Sequence, residues 1–304
     1  MQAEFQSLKA FDFVNAEVHL WVFKKSSSAV RYKAHYVPVD QQLKTKLIEF
    51  STAEMTRLTE MSAYSYISQT NENSCLAAAS DTTDFSLLKH QVDRPEPEHL
   101  INGIQDIKGS EGYVVKFISN NEVVYAVKRS TSLWKTSYPK KYMNIVFSNG
   151  ELSAAEDNTF SIERSFDFFC KGQHIFIANK RAFESALSHR APYMQAFTSL
   201  QLAPAFSALF TNMQPLIAHV GSNSIELRRM AVIEQKGLYS QPNFLTRLQI
   251  VNASRNWGLN FDQATSQIIP CETTAKVIME VLLDHRLISE VTNISYAVPD
   301  TVQI

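Results

Sequence analysis

The pattern of apolar and polar residues predicts β-hairpins in the first two-thirds of the chain. Residues 16 to 39 contain two strand-like runs, AEVHLWVFKK and AVRYKAHYVPV, separated by serines at 26 to 28, which predicts a hairpin. Between residues 113 and 178, apolar runs flank three turn pairs, namely Asn120-Asn121, Asn149-Gly150 and Lys171-Gly172. Such pairs favour tight turns, so this stretch is predicted to form an antiparallel meander.

Helical spacing predicts helices on either side of this meander. Asp40 is a candidate N-cap for a helix after residue 40, and the capping-box sequence at 51 to 54 permits one bent helix or two short ones. Further helices are predicted after Asn179, between Pro242 and Gly258, and after residue 274. The final run, VTNISYAV, is predicted to be a strand that returns to the sheet.

These elements predict an α+β fold, with an antiparallel β-meander, a helical C-terminal half and a smaller N-terminal α/β portion. Pro95 and Pro97 are the best candidates for a domain boundary, which we place between residues 94 and 112. The predicted domains are an N-terminal α+β domain at 1–105 and a second domain at 106–304 that contains the meander, helices and final strand.

Composition indicates a globular protein whose charge is local rather than global. The chain of 304 residues is 45% hydrophobic and has a formal net charge of −1, so any nucleic-acid contact must come from segregated charge. Three scattered cysteines suggest neither a zinc site nor a disulfide framework, and the N-terminus has no signal-peptide pattern. We therefore expect a cytoplasmic protein. The uncharged tract at 191–225 is too polar for a membrane span, which favours buried helices or a partner-facing surface.

A basic and aromatic stretch from residue 113 to 142 is the strongest functional signal. From Glu122 onward it contains one acid and five cations, namely Lys128, Arg129, Lys135, Lys140 and Lys141. Trp134 lies between these cations in the sequence. Cations interleaved with aromatic rings are typical of surfaces that bind a phosphate backbone, although an ordinary solvated loop has the same composition. A two-residue turn at 120–121 would pair Lys116 with Tyr125. It would also place Lys116 and Arg129 on one face and Lys128 on the other.

Two further basic pairs are possible secondary contacts. Lys180 and Arg181 occupy the first turn of a predicted helix, where cations oppose the helix dipole, so an anion there would be favourable. An intrahelical pair between Lys180 and Glu184 is the alternative. Arg228 and Arg229 adjoin the uncharged tract and could serve phosphates, a protein partner or solubility.

No motif for enzymatic chemistry is present, so we predict no catalytic residue, metal or cofactor. The eight glycines form no phosphate-binding or nucleophile-elbow pattern, and the histidines lack ligand spacing. A metal-dependent nuclease is the alternative, with Asp167 and Glu163 as candidate carboxylates. Their strand lacks a suitably spaced lysine, and the E-x-K letters at 234–236 fall in a predicted helix.

The stretch TFSIERSFDFFCKGQHIFIANKRAFESAL resembles the KwaB family, the soluble component of the two-gene Kiwa antiphage system. The shared features are an aromatic strand, a short turn, a strand ending in IFIANK and a helix opening RAFE. The segments FDFVNAEVHLWVFKK, QPNFLTRLQIV and NISYAVP also resemble this family, so the similarity covers most of the chain.

The resemblance implies a cytoplasmic DNA-binding effector that acts against phage replication and late expression. It also implies self-assembly into a homodimer or larger homo-oligomer and a membrane partner, KwaA, which could recruit the protein to the inner membrane. The family pattern names no DNA-contacting residue, so the candidate contacts come from the charge argument. We therefore expect DNA binding largely without sequence specificity; a regulatory scaffold with incidental DNA affinity is the alternative.

Overall fold

A computed structural model describes residues 1–26, 31–80, 84–129, 145–148, 151–154, 162–187, 190–288 and 295–297. The chain forms two compact units. The first comprises Met1–Tyr64 and Ser68–Ser188, and the second comprises Ser65–Ile67 and His189–Ile304. β-strands form much of the first unit, whereas the second unit consists mainly of helices.

The described part of the first unit contains ten strands and five α-helices. The strands are β1 (Glu17–Lys25), β2 (Tyr32–Val37), β3 (Glu60–Ala63), β4 (Ser74–Ala79), β5 (Gly112–Ser119), β6 (Glu122–Arg129), β7 (Ile145–Ser148), β8 (Glu151–Ala154), β9 (Phe168–Lys171) and β10 (His174–Ile177). The helices are α1 (Gln2–Lys9), α2 (Gln41–Arg57), α3 (Phe85–Val92), α4 (Ile104–Lys108) and α5 (Lys180–Ala186).

Eight of these strands form one sheet in the order β2-β1-β5-β6-β9-β10-β4-β3. Neighbouring strands of this sheet are antiparallel, except that β3 and β4 are parallel. Strands β7 and β8 form a separate hairpin. The predicted antiparallel meander is therefore confirmed for β5, β6, β9 and β10, whereas β7 and β8 pair outside this sheet. The predicted Asn120-Asn121 turn is also confirmed, because both residues have positive φ and Ser119 pairs with Glu122. The third turn lies one residue later than predicted, since Lys171 pairs with His174 and Gly172 takes the left-handed conformation.

Helices cover both faces of this sheet, as the alternation of apolar residues requires. On the first face, strand residues such as Val22 pack with α1 and α2; on the second face, Trp21 and its neighbours pack with α3 and α5. Helix α2 is a single helix capped by Asp40, whose carboxylate accepts the Leu43 N–H at 2.8 Å. Ser51 of the predicted capping box lies buried inside that helix.

The second unit is built mainly from helices around its own apolar core. Its described elements are α6 (Arg190–Leu202), α7 (Pro204–Ser207), α8 (Gln214–Val220), α9 (Ser224–Lys236), α10 (Phe244–Arg255), β11 (Asn260–Phe261), β12 (Ile268–Ile269), α11 (Ala275–Leu282), β13 (Arg286–Ile288) and β14 (Ser295–Ala297). The helices predicted between Pro242 and Gly258 and after residue 274 are confirmed by α10 and α11. The final strand differs from its prediction, because β14 pairs with β13 in a two-stranded sheet.

The compact units divide the chain elsewhere than at the predicted boundary near residue 105. Residues 94–112 lie inside the first unit, because β5 pairs with β1 along Glu17–Phe23. Pro95 and Pro97 instead belong to a short 3₁₀ turn within that unit. Of the helices in the described ranges, none has both the length and the apolarity that crossing a membrane requires.

Candidate nucleic-acid interface

The β5–β6 hairpin has the predicted register and therefore divides its three basic residues between two faces. Lys116 pairs with Tyr125, and Gly112 pairs with Arg129. Lys116 and Arg129 share the second face, whereas Lys128 lies on the first face beside Tyr113. The other predicted contacts, Trp134, Lys135, Lys140 and Lys141, lie outside the described residues.

Lys116 belongs to a polar cluster centred on Asp93. The Asp93 carboxylate accepts from the ammonium groups of Lys116 at 2.8 Å and Lys89 at 2.6 Å, and from the Tyr125 hydroxyl at 2.7 Å. Burial raises the pKa of Asp93, but these hydrogen bonds outweigh burial and lower it overall. The charge of Lys116 is thus partly compensated within the protein, by a carboxylate that it shares with Lys89.

Lys128 is buried in an ion pair with acids from the following segment. Its ammonium lies 3.2 Å from Asp167, donates to Ser165 at 3.2 Å, and contacts Glu163. Burial lowers the pKa of Lys128, but the two carboxylates outweigh burial and raise it overall. Because the Lys128 side chain is only 8% exposed, this cation stabilises the sheet end internally.

Arg129 has a different environment at the very end of β6. Its backbone N–H donates to Asp167 at 2.7 Å, while its half-buried side chain lies on the second face close enough to Lys25 to lower that residue's pKa. Burial is the larger cause of the Lys25 shift. Arg129 is also the last described residue before the segment 130–144, which carries the three predicted lysines and no acid. The chain therefore leaves the sheet at a positively charged point.

Strand pairing brings further basic residues to this same end of the sheet. Phe23 pairs with Gly112, which pairs with Arg129, so the end of β1 lies two strands from the end of β6. That distance is roughly 10 Å. We name four residues at this end the basic sheet end; they are Lys24, Lys25, Lys33 and Arg129. Sequence analysis missed the three lysines, because only the non-local pairing of β1 with β5 brings them to the same end of the sheet as Arg129.

Lys24 and Lys33 form a like-charged pair directly across the β1–β2 ladder. Both side chains are at least partly exposed, and no acid of the described residues lies within ion-pair distance of either. Like charges in this arrangement are destabilising, so an anion bound between them would be favourable. Their charge reaches His35, whose pKa is lowered first by burial and then by Lys33 and Lys24, although Asp106 opposes the shift.

Acidic residues compensate part of this positive charge. Arg31, which precedes β2, pairs with Asp84 at 2.6 Å, and Glu111 lies near Lys25. Among the described residues, Lys24, Lys33 and Arg129 remain without an ion-pair partner. Within the basic sheet end, these three cations are therefore the most available to an external anion. The strand alternation places Lys24 and Lys33 on the first face and Arg129 on the second.

The predicted secondary contacts lie in both units. In the first unit, Lys180 donates to the carbonyl of Ser68 at 2.7 Å, and Arg181 is exposed. In the second unit, Arg229 pairs with Glu226 at 2.9 Å, and Arg228 is half-buried on the same helix. No contact among the described residues links Lys180 and Arg181, or Arg228 and Arg229, to the basic sheet end.

The structure also brings together the residues weighed for a nuclease. The lysine missing from the strand of Asp167 is supplied by β6, since Lys128 contacts both Asp167 and Glu163. Within the described ranges, however, no group of three or more His, Cys, Asp or Glu side chains is arranged to hold a metal ion. Glu234 and Lys236 lie in α9, as predicted.

This geometry defines an α+β protein with a concentration of basic side chains at one sheet end. A family model described as "Kiwa protein KwaB-like" matches residues 107–292, which is more than half of the chain and includes parts of both units. The chain belongs to this KwaB-like family and is therefore a component of Kiwa antiphage defence. No curated protein and no solved structure matches the chain.

Proposed function

We propose that this chain is an antiphage effector that binds DNA largely without sequence specificity and blocks phage replication or late expression. The observation that carries the proposal is the basic sheet end, where the side chains of Lys24, Lys33 and Arg129 lack ion-pair partners among the described residues. From this point begins the acid-free segment 130–144 with Lys135, Lys140 and Lys141. Together these residues supply up to six phosphate contacts, with Trp134 available to stack on a base.

The surrounding geometry ranks the proposed contacts. Lys24, Lys33 and Arg129 come first among the described residues, because no described acid lies within ion-pair distance of them. The three lysines of the segment are ranked with them on sequence alone. Lys116 and Lys128 contribute less, since carboxylates of the protein already compensate their charge. The pairs at 180–181 and 228–229 are secondary candidates. Contacts of this kind position a duplex through its phosphates and carry no base readout.

Lys33→Glu provides a test in which stability and DNA affinity move in opposite directions. The change replaces a like-charged cross-strand pair with an oppositely charged one, so the free energy of unfolding should rise by about 0.2–1 kcal/mol. Duplex affinity, measured by fluorescence anisotropy, should fall. The matched control is Lys44→Glu on α2, because Lys44 likewise has no described ion-pair partner and lies on a helix rather than at the sheet end. Equal affinities for the two variants would contradict the assignment of Lys33.

The membrane partner and self-assembly are part of the same proposal. We propose that a membrane protein of the Kiwa system recruits this chain from the cytoplasm to the inner membrane, and that the chain assembles as a homodimer or larger oligomer. The uncharged tract offers surface for such contacts, because α6 exposes Met194 and Leu202. Light scattering coupled to size exclusion would test self-assembly, and a monomer at micromolar concentration would contradict it.

A regulatory scaffold and a nuclease are the competing functions. Variants that lose DNA binding yet keep phage protection would favour the scaffold. The convergence of Lys128, Asp167 and Glu163 is the observation that keeps the nuclease in consideration. We propose that the chain binds DNA without cleaving it, because Lys128 is paired with Asp167, a carboxylate that a catalytic metal ion would need. Plasmid incubated with Mg²⁺ or Mn²⁺ should stay intact, and nicking that Asp167→Asn abolishes would establish the nuclease.

A further inference from the structure

The second unit contains an open apolar pocket between α10 and the end of α11. Its volume is about 310 Å³, and its apolar lining consists of Phe244, Leu248, Val251, Trp257 and Val281. Three of these residues lie at i, i+4 and i+7 on α10 and so share one face of that helix. Leu248 is buried, and the other four are half-exposed. A ligand that covers these walls would remove apolar surface from water, which favours binding.

The indole ring of Trp257 is held beside a planar cation. The guanidinium of Arg286 lies 5.3 Å from the ring centroid. Glu280 fixes that guanidinium through two hydrogen-bonding contacts, at 3.0 Å to Nε and 2.8 Å to Nη2. A tryptophan and an arginine ordered before the ligand arrives form a surface suited to stacking a flat aromatic ring.

Two charged residues complete the lining with opposite signs. Arg247 is exposed on α10, one turn from Val251, and no acid of the described residues pairs with it. Asp284 is also exposed, at a left-handed position with φ of 60° just after α11. An arginine recognises a phosphate, and a carboxylate accepts from an exocyclic amino group.

We propose that this pocket binds a nucleotide, with the base on Trp257 and the apolar wall and the phosphate at Arg247. Asp284 accepts from the amino group of the base. The volume lies at the lower end of the range for ligand pockets, about 300–1,000 Å³, and so accommodates one base with its sugar. The nucleotide is either free or part of a single strand, since both present the same ring and phosphate. The proposed duplex contacts lie in the first unit, so this inference stands without them.

The test is titration of the full chain with AMP, CMP, inorganic phosphate and a short single-stranded oligonucleotide. Isothermal calorimetry measures affinity, and tryptophan fluorescence reports on Trp257. Arg247→Gln should weaken nucleotide binding about tenfold, as expected for loss of a hydrogen bond to a charged group. The matched control is Lys44→Gln on α2, which removes one cation from a position outside the pocket lining. Its affinity should equal that of the wild type.

Trp257→Phe separates stacking from folding, because phenylalanine keeps an aromatic ring. This variant should retain calorimetric binding of AMP while losing the fluorescence change that AMP causes, since Trp257 belongs to the pocket lining and the buried Trp21 does not. Binding of mononucleotides would identify the free nucleotide, and binding of the oligonucleotide alone, with the same dependence on Arg247, would identify the strand. The proposal is overturned if neither binds saturably, if phosphate binds as tightly as AMP, or if Arg247→Gln matches its control.

Discussion

Replacing Lys128 with methionine would distinguish a structural cation from a DNA contact. The substitution leaves Asp167, whose side chain is 2% exposed, without its cationic partner. Breaking a buried ion pair costs about 3–5 kcal/mol. We expect the lower end, about 3 kcal/mol, because Asp167 keeps the Arg129 N–H at 2.7 Å. Asp167→Asn removes the buried charge as well, so the double variant should recover part of the loss.

The assay is urea unfolding at neutral pH, followed by duplex binding under conditions in which each variant is fully folded. Lys128→Met should lower the free energy of unfolding by about 3 kcal/mol and leave duplex affinity within about twofold of the wild type. Duplex affinity should change little because the Lys128 ammonium is already paired with Asp167 and Glu163. A loss of stability below about 1 kcal/mol, or a large loss of affinity in a folded variant, would refute this reasoning.

Three further predictions concern the same unit. Asp93→Asn should lower the free energy of unfolding at neutral pH. The difference in this free energy between variant and wild type should shrink as the pH falls below about 4, because the folded protein lowers the pKa of the Asp93 carboxyl. Urea unfolding of both proteins across this pH range checks the sign. DNA or phosphate bound at Lys24 and Lys33 should raise the lowered pKa of His35, which an NMR titration would detect, and an unchanged pKa would exclude an anion there. Gly112→Ala should cost about 1–3 kcal/mol in urea unfolding, because a Cβ would lie 2.5 Å from the Lys128 carbonyl; wild-type stability would contradict that packing.

Local patterns predicted the hairpin that organises the candidate interface. The asparagines at 120 and 121 specify a two-residue turn, and such a turn fixes both the register and the faces of the flanking strands. The separation of Lys128 from Lys116 and Arg129 followed from that register alone. The burial of Lys128 did not follow from the register, because its partner Asp167 is 39 residues away along the chain.

Long-range pairing explains what the sequence could not reveal. The pairing of β1 with β5 joins segments about ninety residues apart, and no local signal specifies such a contact. The sequence alone therefore presents Lys24, Lys25 and Lys33 as ordinary hairpin residues, and only the sheet order brings them to the same end of the sheet as Arg129. The prolines at 95 and 97 mark a turn inside a unit rather than a linker, because chain-breaking residues carry no information about which strands pair across them.

The salt dependence of duplex binding tests the central claim most directly. The logarithm of the binding constant should fall linearly with the logarithm of salt concentration, with a slope of about −0.9 for each phosphate neutralised. Charge reversal at Lys135, Lys140 and Lys141 should reduce the magnitude of that slope by about 3, whereas reversal at Lys44, Lys46 and Lys276 should leave it unchanged. Salt-independent binding, or the same slope in both triple variants, would contradict the account.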